Sequence, residues 1–183
     1  MPELPEVECL TRAVGAMLEG GVLTEATFFR PNLRDEIPVE EFKRIVIGRK
    51  VEAVFRRSKY LLIKTERGHG VIHLGMTGNL LVQPTAEPKV AHTHAVFTAR
   101  DKQGQKIFFH FVDPRRFGRI ACVAGDSLEQ DAMFAQLGVE PLTHPKLAEH
   151  LFLASRRRKQ PKKTFLMDAR IVVGVGNIYA SES

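Results

Sequence analysis

Hydrophobic positions open the chain with a helical period. Val7, Leu10, Val14, Met17 and Leu18 recur at spacings of three and four, which lines one face of a helix. Pro5 near its start, Glu6 and Glu8 at the positive end of its dipole, and Gly20-Gly21 beyond it supply the boundary signals. The pattern then changes to short runs rich in β-branched and aromatic residues, at 22–30, 50–57, 60–66, 70–74, 93–99, 106–112 and 119–123. Turn signals such as Arg67-Gly68, Gly78-Asn79 and Lys102-Gln103-Gly104 separate them, and a short helix is expected over 40–47. Many short strands without alternating helices predict an antiparallel sandwich or barrel rather than a doubly wound sheet. From about Ser127 the period becomes helical again. Leu128, Met133, Phe134 and Leu137 predict one helix ended by Gly138. Leu147, Leu151 and Phe152 predict a second after Pro145, and a short third covers 163–169. A glycine loop, 172–176, then leads to Asn177, placed to cap a last helix that has barely begun at Ser183. The fold class expected is α+β, an N-terminal helix on an antiparallel β-sandwich over 1–126 followed by a helical part over 127–183.

Composition narrows the class without naming a function. The chain has 183 residues, 44% hydrophobic and 26% charged, enough to bury a real core in one domain or two small ones. Disorder, collagen-like repeats and a disulfide-stapled scaffold are excluded. Two cysteines, Cys9 and Cys122, are too few and too far apart for a disulfide framework or a four-cysteine zinc site, and are expected to be reduced thiols. No apolar run approaches the roughly 18–20 residues of a membrane helix. Acids and prolines stand where a signal peptide would carry basic and then apolar residues, so a cytoplasmic protein without a membrane partner is expected.

Charge is more telling in its distribution than in its total. Lys and Arg number 27 against 21 Asp and Glu, a formal +6. Six of the eight residues over 156–163 are basic, and without them the balance is zero. The excess is local, and it reads either as a strip that binds a polyanion or as a solvated linker.

Several residues could carry chemistry. If Met1 is removed, Pro2 becomes a free secondary amine, and an α-amino group titrating near pH ~8 is partly neutral at cellular pH. Such an amine attacking a sugar anomeric carbon displaces a base and leaves an iminium, which acidifies the adjacent sugar carbon and opens a route to phosphate elimination. Glu3 follows it and could serve as general acid. His73-Leu74-Gly75-Met76-Thr77-Gly78 reads as a strand ending in a glycine turn that projects Met76, and Asp113-Pro114-Arg115-Arg116-Phe117-Gly118 as a loop exposing a cation and a ring. A wedge of Met76, Arg115 and Phe117 could replace an extruded base in a DNA stack, or these could be core fillers and surface ion pairs. Lys59, at a strand junction, suits a phosphate contact. His92 and His94 alternate but lack a third metal ligand nearby and read as strand histidines.

Five of these motifs stand in an order that resembles a known family. Met1-Pro2-Glu3-Leu4-Pro5-Glu6-Val7-Glu8, Lys59-Tyr60-Leu61-Leu62, 73–78, 113–118 and 173–183 together closely resemble bacterial formamidopyrimidine-DNA glycosylases, which are 8-oxoguanine DNA glycosylases and AP lyases. Leu4 and the two-arginine loop are similar to this branch rather than to endonuclease VIII. The resemblance implies a β-sandwich catalytic domain and a helix–two-turns–helix domain, of which 127–183 would be a part, with double-stranded DNA in the cleft between them. It implies Pro2 as Schiff-base nucleophile, Glu3 as general acid with Glu6 assisting, and Lys59 binding phosphate and supporting elimination. His73, Lys163 and Asn177 would contact phosphates or the lesion site. Met76, Arg115 and Phe117 would fill the gap left by the flipped base, with Arg115 facing the orphaned cytosine. Relatives of this kind continue past the position of Ser183 into more of the helical domain and a four-cysteine zinc ribbon. The chain therefore reads as an N-terminal portion, a monomer with no cofactor of its own, and either a glycosylase/lyase or a non-catalytic DNA-binding remnant.

Overall fold

The structure, a computed structural model, describes residues 2–88 and 90–183. The opening amphipathic pattern folds as helix α1 (Leu4–Leu18), with Leu4, Val7, Val14 and Leu18 turned inward. Then follow β1 (Val22–Phe28), α2 (Val39–Val46), β2 (Ala53–Arg57), β3 (Tyr60–Thr65), β4 (Gly68–His73), β5 (Asn79–Gln83), β6 (Thr93–Arg100), β7 (Lys106–Val112) and β8 (Arg119–Ala124). They form two antiparallel four-stranded sheets, in the orders β1-β6-β7-β5 and β2-β3-β4-β8. The remainder is a 3-10 turn, Leu128–Gln130, and three helices, α3 (Leu147–Ser155), α4 (Lys162–Leu166) and α5 (Asn177–Glu182).

Period-2 alternation divides the second sheet between two cores. Leu61, Ile63, Ile72 and Ile120 face the main core, which is shared with α1, α2 and the first sheet. Leu62, Val71 and Val123 face the other way and are covered by Leu128 and Phe134. Phe42 of α2 lies between the sheets, packed edge-on to Phe28 and tilted against Phe97, and Gly70 leaves room for its ring, because a Cβ there would stand 3.2 Å away.

Three expectations from the sequence need correction. The helix predicted across Leu128 to Leu137 is a 3-10 turn followed by irregular turns. Asp131 is extended, and its side chain accepts the Met133 N–H at 2.9 Å, so Leu128 and Phe134 drop into the second core from turns. Strand β5 lies outside the predicted runs, since Gly78-Asn79 reads as a turn, yet Asn79 already pairs with Val112. Asn177 does not cap α5; it is the first helical residue after Gly176, and the amides of that turn are satisfied by Glu3.

Register gathers the loops at one end of the sandwich. Arg57 pairs with Tyr60, Tyr60 with His73 and His73 with Arg119, one row across the second sheet. The 58–59 turn, the 74–78 loop and the 113–118 loop leave the sheets on that side, the last two also flanking the Asn79–Val112 pair of the first sheet.

Candidate functional site

Glu3 is the centre of the site. It is 1% exposed, yet it is a carboxylate with a full set of donors. Its Oε2 accepts the Gly176 N–H at 2.8 Å and the Tyr179 N–H at 3.2 Å, and its Oε1 accepts the Ile178 N–H at 2.8 Å. Burial alone would raise its pKa, but these three amides and the nearby Lys59 charge outweigh burial and hold it below the usual carboxylate range. In the resting protein Glu3 is therefore ionised and cannot donate a proton until it has collected one.

Neighbouring groups fix this carboxylate from both ends of the chain. The Glu3 N–H donates to Glu6 Oε2 at 2.9 Å, and the Leu4 N–H donates to Gly174 O at 3.1 Å. Gly174 has a φ of +85° and lies against Leu4, with no room for a side chain. A Cβ on Gly176 would stand 2.5 Å from the Glu3 carboxyl carbon and 2.8 Å from Lys59 Nζ, so the carboxylate and the ammonium share the space a side chain would occupy. Burial lowers the Lys59 pKa, with Glu3 and Glu6 opposing the shift. Pro2, half-buried, is bonded to Glu3 and so leads directly into this cluster.

A strained hairpin presents Lys59. Ser58 adopts φ +55°, a conformation that costs a non-glycine residue on the order of 1–2 kcal/mol. Its N–H donates to Glu140 Oε1 at 2.6 Å. Glu140 Oε2 also takes Arg56 Nη1 at 2.6 Å, and Arg56 Nε reaches Glu8 Oε2 at 2.8 Å. Arg57 donates to the carbonyls of Leu137 and Gly138. The hairpin is thereby tied to α1 on one side and to the 137–140 segment on the other.

His73 pairs with Tyr60, the residue after Lys59, in the end row of the second sheet. Burial pushes its pKa down to about 4, with the charges of Arg119, Lys59 and Arg34 adding to the effect. Its Nδ1 accepts the Gly75 N–H at 3.0 Å, so the neutral ring carries its proton on Nε2, where it can only donate. The Gly75 bond also ties His73 to the loop that carries Met76.

Met76, Arg115 and Phe117 stand exposed at the tips of two adjoining loops. Met76 and Phe117 are 39% and 42% exposed, large apolar side chains held in solvent, and the Arg115 guanidinium lies 4.8 Å from the Phe117 ring centroid. Gly75, at φ +64°, brings the 74–78 loop against Phe117, where a Cβ would stand 2.3 Å from the Phe117 carbonyl carbon. An open groove of about 610 Å³ runs beside this tip, walled by Asn32, Arg34, Arg115, Arg116 and Phe117.

The structure thus brings Glu3, Glu6, Lys59 and His73 together, and Met76, Arg115 and Phe117 into a second, adjoining group. Lys163 donates to Ser181 Oγ at 2.9 Å and ties α4 to α5, while Asn177 is exposed at the start of α5. Lys163 and Asn177 flank the site through α5, whereas the hydrogen bonds to the Glu3 carboxylate come from Gly176, Ile178 and Tyr179. The basic strip is exposed, with Arg156 over Phe152 and Arg158 over Phe165. Sequence reasoning misses Tyr179, whose hydroxyl lies 3.4 Å from Glu6 Oε1, and Glu140, whose only signal is its place in a turn after Gly138. Among the described residues, no group of three or more His, Cys, Asp or Glu could hold a metal ion. No helix among them is long and apolar enough to cross a membrane.

Comparison with known proteins agrees with this geometry. The sequence model of the formamidopyrimidine-DNA glycosylase N-terminal domain matches residues 1–120. Curated relatives named formamidopyrimidine-DNA glycosylase include those of Cellvibrio japonicus, 42% identical, and Alteromonas mediterranea, 44% identical, each over 183 residues. Each alignment covers 100% of this chain and 65% of the relative, so the chain spans about two thirds of their length. Among solved structures, the MutM (Fpg) protein of Thermus thermophilus is 34% identical with a TM-score of 0.78, covering 99% of this chain and 62% of that one. The Lactococcus lactis glycosylase, solved with DNA containing an AP site, shares the fold at 24% identity and a TM-score of 0.84, covering 98% of this chain and 67% of that one. On its family-model match and these relatives, the chain belongs to the formamidopyrimidine-DNA glycosylase family.

Proposed function

We propose that this chain carries the reaction centre of a bifunctional DNA glycosylase and AP lyase acting on double-stranded DNA with oxidised purines or abasic sites. The observation that carries this reading is the buried Glu3 carboxylate, fixed by three amides beside Lys59 and bonded in sequence to Pro2. The names of the relatives support the substrate class.

The steps follow from the groups present. With Met1 removed, the Pro2 nitrogen attacks C1′ of the flipped nucleotide, and the bond to the base breaks with its electron pair leaving on the base. The ring C1′–O4′ bond then opens, giving a C1′=N iminium on Pro2. Glu3, ionised at rest, collects the proton that Pro2 gives up and returns it to O4′ or to the departing base. In this reading Glu3 acts as the general acid, and Glu6 holds its backbone N–H. The iminium acidifies C2′, which gives its proton to solvent as the C3′–O bond breaks with its electron pair on the departing 3′ phosphate. C4′ then gives a second proton to solvent as the C5′–O bond breaks and the 5′ phosphate leaves by δ-elimination. Lys59 is the cation placed to bind phosphate during these departures, with His73 donating from Nε2 and with Asn177 and Lys163 along the strand. Met76, Arg115 and Phe117 hold the vacated stack. The residues after Ser127 are, in this reading, part of the helical DNA-binding domain.

Strand cleavage of an end-labelled duplex with a single abasic site tests the proposal. The expected products carry phosphate on both sides of a one-nucleotide gap. Salt-dependent binding with an intact strand would replace this reading with that of a non-catalytic DNA-binding remnant.

A further inference from the structure

Two loops carry the exposed wedge, and one buried carboxylate joins them. Asp113 is fully buried. Its Oδ1 accepts the Thr77 hydroxyl at 2.7 Å and the Arg115 N–H at 3.3 Å, and its Oδ2 accepts the Gly118 N–H at 2.7 Å. Its main chain is pinned as well. The carbonyl accepts His94 Nε2 at 2.8 Å and the Arg116 N–H at 3.2 Å, and the Asp113 N–H donates to His92 O at 3.1 Å. Thr77 is the one side chain of the 74–78 loop bonded to this carboxylate, and its Oγ1 also lies 3.3 Å from the Arg115 N–H.

The consequence is mechanical. Met76 is next to Thr77 in one loop, and Arg115 and Phe117 lie between Asp113 and Gly118 in the other. Their side chains are exposed at the loop tips, so their placement depends on the backbone beneath them. The Oδ1 bond spans the two loops and the Oδ2 bond closes the second one on itself. Arg116 within it adopts φ +57°, a conformation that the surrounding bonds must hold. Without Thr77 Oγ1, the Met76 loop keeps its Gly78 N–H bond to Leu74 O and its Gly75 bond to His73, but loses this polar tie to the Arg115–Phe117 loop.

We infer that Thr77 and Asp113 are positioning residues that latch Met76, Arg115 and Phe117 into one preformed wedge before DNA arrives, so that eversion of the damaged nucleotide from the stack, rather than bond chemistry, depends on them. The inference rests on the proposed reaction centre and adds to it a step carried by residues that touch neither substrate nor Glu3.

The test uses Thr77, which is exposed, so that Thr77→Val removes the hydroxyl with little demand on folding; Thr77→Ser keeps it. Borohydride trapping rates are compared on a fully paired abasic duplex and on the same abasic strand single-stranded, where no stacked partner has to be replaced. Fluorescence of 2-aminopurine next to the abasic site follows unstacking directly. Thr77→Val is expected to slow both unstacking and trapping on the duplex by about tenfold, the scale of one lost hydrogen bond to a charged group, with single-strand trapping unchanged. Thr77→Ser is expected to restore the duplex rates. Equal duplex rates for wild type and Thr77→Val, or an equal slowing on both substrates, would overturn the latch. Failure of the wild-type protein to trap on either substrate would instead overturn the reaction centre on which it rests.

Discussion

Replacing Glu3 with glutamine keeps the shape and removes the charge, and its cost follows from the three amides it serves. Two of them, from Gly176 and Tyr179, converge on Oε2, and the third, from Ile178, goes to Oε1. A glutamine can offer its carbonyl oxygen to the first pair, but its NH2 group then faces the Ile178 N–H, donor against donor. One buried charge-assisted bond is lost and its donor is left unpaired, a cost of about 2 kcal/mol. That corresponds to roughly 30-fold less protection of the α5 amides in hydrogen exchange at pH 7. The sign with pH is fixed by the direction of the Glu3 shift. Its folded pKa lies below the ordinary 4.5, so its stabilisation is present above that value and fades as pH falls through the folded one. The gap between wild type and Glu3→Gln should therefore close on acidification below about 4.5. Unaltered protection at Ile178 and Tyr179 in the variant, or a gap as large at pH 3 as at pH 7, would refute the reasoning.

Other outcomes follow from the same geometry. His73 should stay neutral in an NMR titration until pH nears 4, and since its folded pKa is lowered from 6.5, the protein should lose stability as pH falls from 6.5 toward 4; a midpoint between 6 and 7 would contradict its burial. Replacing Arg156, Arg157 and Arg158 with alanine should flatten the salt dependence of DNA binding by about 0.9 in log–log slope for each phosphate that these arginines neutralise. An unchanged slope would mark the strip as a solvated linker.

Much of the sandwich is legible in the sequence because its signals are local. The 106–112 run matches β7 end to end, and Gly20-Gly21 stops α1 where its apolar face ends. The region after Ser127 is harder to read, because Leu128 and Phe134 are held by a core on the outer face of the second sheet, and turns serve that purpose as well as a helix would. β5 escapes a local reading because its pairing with β7 is long-range and its own run is only five residues. At the site, motif order singles out residues that the structure gathers, but not their states. The bond from Gly176 to Glu3 spans 173 positions, and nothing local in Pro2-Glu3-Leu4 says that the carboxylate meets three amides and is ionised. For the same reason Asn177 reads as a cap, when the cap comes from the other end of the chain.

Reductive trapping reads out whether the mature N-terminal nitrogen bonds to the sugar. The protein is incubated with abasic duplex and sodium borohydride, digested, and the modified peptide sequenced by mass spectrometry. The expected result is a single adduct on the peptide that begins with Pro2, and none on chains that retain Met1. An adduct on Lys59, or equal trapping by chains that keep Met1, would contradict it.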